Sequence, residues 1–291
     1  MSVAHDELRY VYAVCRPPTA PLAADLTGVG GVPPKQLCHE GLVALVGPVP
    51  ERDFAQDALR AHLEDLDWLA ETARAHQRVI AALATVTCPL PLRLATVFRD
   101  DSGVRAMLED QAERFVRVLD RIEGRVEWGV KVHVEGEAAS ATGRAEEPAR
   151  RGPRTGRDYL RQRRRQRAAH EEGWERAEAF ARRLHEELSS HADDARLHAP
   201  QNAALSRASG RNVLNAAYLV PRSHSEEFVE LVDRTKDEGR GTDCLRVELT
   251  GPWAAYSFTG DDITEGAGDE NVKGAGDDTV TGTGDESGGG A

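Results

Sequence analysis

The sequence predicts an α+β protein with two folded domains, residues 1–122 and 123–260, followed by an acidic segment at 261–291. Over the first 260 residues, short apolar runs bounded by turn residues alternate with longer stretches of helical periodicity. From residue 126 to 250 the predicted order of elements is β-α-β-β-α-β, which is the split βαβ, or ferredoxin-like, arrangement. A long polar helix belongs to this second domain.

The first domain opens with two short apolar strands. "RYVYAVC" (9–15) and "GLVALVG" (41–47) are rich in β-branched and aromatic residues, and a loop containing Pro and Gly lies between them, from Pro17 to Pro34. Residues 53–84 are predicted to form one helix, because apolar residues recur at helical spacing. That stripe comprises Leu59, Leu63, Leu66, Ala73 and Ile80.

An extended stretch, "LPLRLATVF" at 90–98, follows this helix, since prolines at 89 and 91 disfavour helix there. In a strand, Leu92 and Leu94 would face the core and Arg93 the opposite side. We expect Arg93 to pair with a nearby carboxylate or with loop carbonyls. Asp100, Asp101 and Glu109 are the candidate carboxylates. A second helix is predicted at 103–122, and its buried face consists of Val104, Leu108, Phe115, Leu119 and Ile122.

The second domain begins with the clearest half-buried strand of the chain. In "RVEWGVKVHV" every second residue from Val126 to Val134 is apolar. A loop at 136–153 leads to a helix at about 156–191, which is polar in its middle but has a final apolar stripe. The residues of that stripe are Ala177, Phe180, Leu184 and Leu188.

Three further elements complete the predicted order. Strands are predicted at 211–221 and 243–253, with a weaker one near 203–208. The helix between the two stronger strands should have Ser223 as N-cap, Glu226 in the capping-box position and Gly239 as its stop.

The acidic segment repeats the motifs "GAGDE", "GAGDD" and "GTGDE" at intervals of eight residues. Its nine acidic residues and one lysine give it a net charge of -8, out of -12 for the whole chain. It has too few apolar residues to build a core, so we expect a disordered tail. The Asp and Gly content also allows a calcium-repeat interpretation, but the period differs from that of the nonapeptide calcium repeat.

Motifs of enzymes and metal sites are incomplete. "GVGGVP" at 28–33 has proline where a dinucleotide-binding loop needs its last glycine, and the sequence contains neither a P-loop nor a G-x-S-x-G motif. "HEELS" at 185–189 has Ser189 in place of the second histidine of a zinc-binding H-E-x-x-H. The four cysteines are scattered and expected to be free. We therefore predict no catalytic residue, no metal and no cofactor.

The cluster Arg161–Arg167 raises the possibility of a nucleic-acid-binding regulator, because arginine suits phosphate contacts. Glu171, Glu172 and Glu175 follow closely, and ion pairs between turns of a solvated helix are the simpler interpretation. The prediction is therefore a protein that binds no nucleic acid. With no apolar run long enough to span a bilayer and no signal peptide, we also expect no membrane association and a cytoplasmic location. A small-molecule enzyme with a cleft between its domains remains a third alternative.

Six motifs together resemble the gas vesicle accessory protein family GvpF/GvpL. They run in family order over residues 9–258: "YVYAV", "LPLRLATVF", "GVKVHV", "YLRQRR", "NAAYLVP" and "GPWAAYSF". The chain departs from the family in having Ala95 where glycine is common. It also has alanines after Trp253, where many members have prolines. The resemblance does not extend to the acidic segment.

The resemblance implies a non-enzymatic assembly factor with two α+β domains, one of them ferredoxin-like. Its expected partners are the hydrophobic shell subunit of the gas vesicle and other accessory proteins, so it would be found in the cytoplasm and on gas vesicles. Arg93 would then fix the join of the domains or a partner-binding cleft through charge-assisted hydrogen bonds. The full set of candidates for partner binding or domain joining is Arg93, Thr96, Phe98, Tyr159, Arg163, Trp253 and Tyr256.

Overall fold

A computed structural model describes residues 7–134, 156–199, 211–242 and 245–260. The α+β class predicted from the sequence is confirmed, with two antiparallel sheets and seven α-helices in these residues. The predicted loop at 136–153, the weak strand near 203–208 and the acidic segment 261–291 lie outside the described residues. Cys15, Cys38 and Cys88 are free thiols, as expected.

The first sheet has the strand order β2-β3-β1-β4, and β5 also pairs with β1. Its strands are β1 (Glu7–Cys15), β2 (Lys35–His39), β3 (Leu42–Pro50), β4 (Leu90–Pro91) and β5 (Val97–Phe98). Strand β2, "KQLCH", was not predicted because it is short and has little apolar content. Glu40 and Gly41 join it to β3, and their φ angles of 46° and 82° are those of a tight hairpin turn.

The helices of the first half are more interrupted than predicted. They are α1 (Glu51–Phe54), α2 (Gln56–Leu63), α3 (Leu66–Leu83), α4 (Asp101–Asp110) and α5 (Ala112–Ile122). The single helix predicted at 53–84 is wrong because Asp65 starts a new helix, its carboxylate accepting from the amides of Asp67 (3.0 Å) and Trp68 (3.2 Å). The break changes the helical phase, so Leu66 is 70% exposed while Ile80 is buried.

The second sheet has the order β7-β8-β6-β9, and all its pairs are antiparallel. Its elements are β6 (Arg125–Val134), α6 (Gly156–Ser190), β7 (Asp194–Leu197), β8 (Arg211–Pro221), α7 (Ser225–Thr242) and β9 (Leu245–Trp253). Strand β7 was not predicted. Helix α7 begins at Ser225 and continues past Gly239, whereas Ser223 lies in a preceding 3-10 turn, so both predicted boundaries are wrong.

The two faces of the second sheet have different partners. Val126, Trp128, Val130 and Val132 pack with α6 and α7, as the alternation predicted, and the apolar stripe of α6 is buried against them. On the opposite face, Ala217 and Leu219 of β8 enter a core with α4, α5 and the first sheet. Arg121 of α5 also donates to Asp194 of β7. The two sheets are thus joined through a shared apolar core.

Candidate functional site

A cleft of about 390 Å³ lies where the edges of the two sheets meet. One wall is Pro91–Arg93, at the edge of the first sheet, and the other is Arg196–His198, at the end of edge strand β7. The segment after β9 supplies Tyr256, Ser257, Thr259 and Gly260. Two of the residues predicted from the sequence, Arg93 and Tyr256, are therefore brought to the same cleft.

The stretch 90–98 is hydrogen-bonded to β1 near both of its ends but not in its middle. The amide of Leu92 donates to the Tyr12 carbonyl, and the amide of Val11 donates to the Thr96 carbonyl, both at 2.9 Å. Between these anchors the chain turns, and the Thr96 amide and hydroxyl both donate to the Arg93 carbonyl, at 3.2 and 2.8 Å. The predicted continuous strand is thus interrupted by a turn that presents Arg93 on the surface.

Ala95 holds this turn in the left-handed region, with φ at 62°. Its amide donates to the Tyr10 hydroxyl at 3.1 Å, and that hydroxyl lies 3.0 Å from Nδ1 of the buried His76. A left-handed conformation is costly for alanine and free of strain for glycine. Glycine would therefore hold the same turn with less strain than Ala95.

Two of the three carboxylates proposed as partners of Arg93 also hold neighbouring elements. Asp101 accepts from Nε of Arg9 at 2.7 Å. Asp100 caps α4, accepting from the amides of Ser102 (2.9 Å) and Gly103 (3.0 Å). Both acids therefore serve the neighbouring β1 and α4, which hold the base of the Arg93 turn.

Behind the cleft, a buried carboxylate fixes the segment after β9. Glu127 of β6 is only 7% exposed and accepts from the amide and the hydroxyl of Ser257, both at 2.7 Å. Nε2 of His198 lies 3.1 Å from the Ser257 hydroxyl oxygen. These contacts connect β6, the end of β7 and the segment after β9.

Burial raises the pKa of Glu127, although the two bonds from Ser257 and the nearby positive charges oppose that rise. The Ser257 proton is directed to the carboxylate, so His198 is placed to donate to the oxygen rather than to accept from it. A nucleophilic serine needs the reverse arrangement, in which histidine accepts the proton and is itself oriented by the acid. The geometry is therefore that of a structural clamp.

Basic side chains line both walls of the cleft. The guanidinium carbon of Arg196 lies 5.8 Å from the centroid of the Phe258 ring, a cation–π distance that fixes the side chain at the wall. Arg93 and His198 are exposed on either side. The described residues that line the cleft include no aspartate or glutamate.

Tyr256 connects the cleft to helix α3. Its hydroxyl donates to Oε1 of Gln77 at 2.7 Å, and burial raises its pKa above the usual range of tyrosine. Trp253 lies on the other side of the same segment, 42% exposed, and lines a second cleft of about 250 Å³ with Gln77 and Arg222. The Gly251–Pro252 peptide bond just before it is cis.

The other predicted residues are placed elsewhere. Thr96 supports the Arg93 turn, and Phe98 is 4% exposed in the core shared by the two sheets. Tyr159 and Arg163 lie on the exposed first part of α6, where Nε of Arg163 is 3.4 Å from the Tyr159 hydroxyl. Neither of these α6 residues lines the two clefts.

Four residues of the site were missed from the sequence: Glu127, Arg196, His198 and Ser257. Arg196 and His198 belong to β7 and its end, which the pattern did not predict. Glu127 occupies the face of β6 that alternation assigns to solvent. Ser257 lies within the "GPWAAYSF" motif, which was the one sequence feature that pointed to this part of the site.

Among the described residues, no group of three or more His, Cys, Asp or Glu side chains is arranged to hold a metal ion. In the same part of the chain, every helix is too short or too polar to cross a bilayer.

Comparisons with known proteins identify the family. The model of the family described as "Gas vesicle synthesis protein GvpL/GvpF" matches residues 8–260. Gas vesicle protein L of Streptomyces sp. (strain CB03234) is 57% identical over 256 residues, covering 88% of this chain and 94% of that protein. Gas vesicle protein F of the same strain is 28% identical over 260 residues, covering 86% and 98%.

Two crystal structures of gas vesicle protein GvpF have a similar fold. The protein from Anabaena sp. PCC7120 matches with a TM-score of 0.60 at 18% identity, covering 87% of this chain and 96% of that one. The protein from Microcystis aeruginosa matches with a TM-score of 0.58 at 16% identity, covering 87% and 99%. At such identities the likeness concerns the fold, while the family assignment comes from the sequence matches. The chain belongs to the GvpL/GvpF family of gas vesicle synthesis proteins.

Proposed function

We propose that this protein is an assembly factor of the gas vesicle that binds the hydrophobic shell subunit and other accessory proteins. It would act as a chaperone or nucleation component in the cytoplasm and on the growing vesicle. The observation that carries the proposal is the family match over residues 8–260, which includes both sheets and the cleft between them. The 57% identity to a gas vesicle protein L supports the same role.

The surface offers features that suit an apolar partner. A shell subunit with one water-repelling face aggregates as a free chain unless that face is covered. Leu197 is 64% exposed at the cleft, and Trp253 is 42% exposed at the second cleft. Strands β7 and β9 are at the ends of the second sheet, and edge strands can pair with an extended segment of a partner.

We further propose that residues 1–122 and 123–260 form two domains, which meet at the shared apolar core, and that the second is ferredoxin-like. The element order β-α-β-β-α-β and the antiparallel sheet order β7-β8-β6-β9 support this. The proposed boundary falls between α5, which ends at Ile122, and β6, which begins at Arg125.

Within this function, the predicted residues receive different proposed roles. Arg93 and Tyr256 line the cleft and would contact a partner, with Thr96 fixing the Arg93 turn. Phe98 would act in joining the domains through the shared core. Trp253 would contact a partner at the second cleft. Tyr159 and Arg163 would contact a partner at a separate surface on α6.

Co-expression with the shell subunit, followed by pull-down through a tag on this protein, tests the proposal. We expect the shell subunit to be retained. Leu197→Ser should reduce retention, whereas Leu66→Ser should not, because Leu66 is equally exposed (70%) but lies at the start of α3, outside both clefts. Arg93→Ala tests the cationic wall in the same assay.

Equal retention by Leu197→Ser and Leu66→Ser would contradict the cleft as the binding surface, while leaving the shell subunit as partner. No retention by the unaltered protein would contradict the proposed function itself. Salt-dependent binding of nucleic acid in its place would favour the arginine-rich part of α6 as the functional surface.

A further inference from the structure

Strand β9 forms one edge of the second sheet, with β6 on its inner side and no further strand of the described residues on its outer side. An edge strand carries a row of backbone N–H and C=O groups with which another strand can pair. Leu245 and Val247 of β9 are buried in the core with α7. Arg246 and Glu248 alternate with them and are exposed, so the other face of this edge carries one charge of each sign.

The charges of Arg246 and Glu248 are only loosely matched within the chain. Nη2 of Arg246 lies 3.9 Å from Oε2 of Glu248, and Nε2 of His133 lies 3.8 Å from the same oxygen. Both distances exceed that of a hydrogen bond. The two charged side chains are 42% and 45% exposed, so each is accessible to a partner at the edge.

The sequence "LRVEL" of residues 245–249 is complementary to itself when two copies run antiparallel. With Val247 on the two-fold axis, Arg246 of each copy lies opposite Glu248 of the other. Leu245 and Leu249 are opposed in the same way. Directly opposed side chains have Cβ atoms about 4.5–5.5 Å apart, and opposite charges in such pairs are stabilising, whereas like charges repel. The two charges therefore favour this register of self-pairing.

Strands β2 and β7, which are also edge strands, offer no comparable match. The sequence of β2, "KQLCH", contains no acidic residue. Strand β7 has only four residues, and both of its charges have partners in the chain. Asp194 accepts from Arg121, and the guanidinium carbon of Arg196 lies 5.8 Å from the centroid of the Phe258 ring. Self-pairing is thus best supported at β9.

We propose that two copies of this chain associate through β9, paired antiparallel about Val247. The two four-stranded sheets then form one continuous sheet, and the two-fold axis perpendicular to it places α6 and α7 of both copies on the same side. Residues 245–249 of each copy overlap, so the interface is small and the dimer is weak and concentration-dependent. This inference goes beyond the proposed function and is compatible with it, because residues 245–249 line neither cleft.

Sedimentation velocity of the full chain over about 1–100 µM tests the proposal, because small interfaces associate weakly. We expect a monomer–dimer equilibrium. Arg246→Glu makes both positions acidic and Glu248→Arg makes both basic, so each variant should dimerise at least about tenfold more weakly. Lys35→Glu is the matched control: it reverses an exposed charge on edge strand β2, changes the net charge as much as Arg246→Glu does, and should leave the equilibrium unchanged.

Mixing the two single variants tests the register itself. The acidic variant and the basic variant should form a mixed dimer at least as tight as that of the unaltered chain, because opposite charges then face each other at both positions. The double variant Arg246→Glu/Glu248→Arg should dimerise like the unaltered chain. Three results would each overturn the proposal: an unaltered chain that is monomeric over the whole range, single variants that dimerise as Lys35→Glu does, or a mixture that remains monomeric.

Discussion

Removing the Ser257 hydroxyl tests whether Glu127 clamps the segment after β9. Ser257→Ala deletes one of two 2.7 Å bonds to a carboxylate that is 7% exposed. A hydrogen bond to a charged group contributes about 1.5–3 kcal/mol, so we expect the free energy of unfolding to fall by about 2 kcal/mol at pH 7. For a chain of this size the melting temperature should fall by about 3–4 °C.

The penalty should also depend on pH. Because burial raises the pKa of Glu127, the stability that this group contributes is fully present below its unfolded-state pKa and is lost as the pH rises through its folded-state pKa. The Ser257 hydroxyl favours the ionised carboxylate, so its removal raises the folded-state pKa further. The loss caused by Ser257→Ala is therefore expected to be smaller at about pH 4 than at pH 7.

Urea unfolding followed by circular dichroism at both pH values measures these effects. Ser190→Ala is the control, because its hydroxyl donates to the Glu187 carbonyl on an exposed surface and should matter by less than about 0.5 kcal/mol. A loss from Ser257→Ala no larger than that from Ser190→Ala, or the same loss at both pH values, would show that Glu127 does not clamp this segment.

Three other predictions concern the first sheet and its helices. Burial lowers the pKa of His76 to about 4, so the stability that the neutral ring contributes should be fully present above pH 6.5 and be lost as the pH falls toward 4. In His76→Gln the urea midpoint should therefore fall less steeply over this pH range. An unchanged slope would contradict this. Ala95→Gly should raise the free energy of unfolding by about 0.5 kcal/mol. The reason is that the relief of left-handed backbone strain exceeds the entropy that glycine adds to the unfolded chain. A lower melting temperature for Ala95→Gly would contradict this expectation. Gly28→Ala should lower the free energy of unfolding by about 1–3 kcal/mol, because the new Cβ would lie 2.1 Å from the Tyr12 hydroxyl. At Gly173 of α6 the nearest described atom outside the helix backbone would lie 3.9 Å from a Cβ, so Gly173→Ala should stabilise the protein through its higher helix propensity. Equal shifts of the melting temperature in the two variants would refute the steric reason.

Burial patterns within single elements could be predicted from the sequence. The alternation from Val126 to Val132 and the stripe Ala177–Leu188 both correspond to buried faces of the second sheet and α6. The residues of 103–122 predicted to be buried are buried as well, even though Gln111 divides that helix in two. Periodicity reports which face is covered, because one apolar partner surface covers the whole face.

Contacts between distant segments could not be predicted. Glu127 is buried because Ser257 and its neighbours, 130 residues later, cover the face of β6 that a single sheet would leave in solvent. Strand β7 has the polar sequence "DARL", and it forms because β8 offers an edge rather than from its own propensity. Arg196 and His198 were missed with it, so the sequence predicted one wall of the cleft, at Arg93, but not the other.

We have proposed that this protein keeps a gas vesicle shell subunit from aggregating. The most direct measurement is the soluble fraction of the shell subunit after expression with this protein, compared with expression alone. We expect a large rise in the soluble fraction, which Leu197→Ser should reduce and Leu66→Ser should leave unchanged. A shell subunit that stays insoluble and unbound in the presence of this protein would contradict the claim.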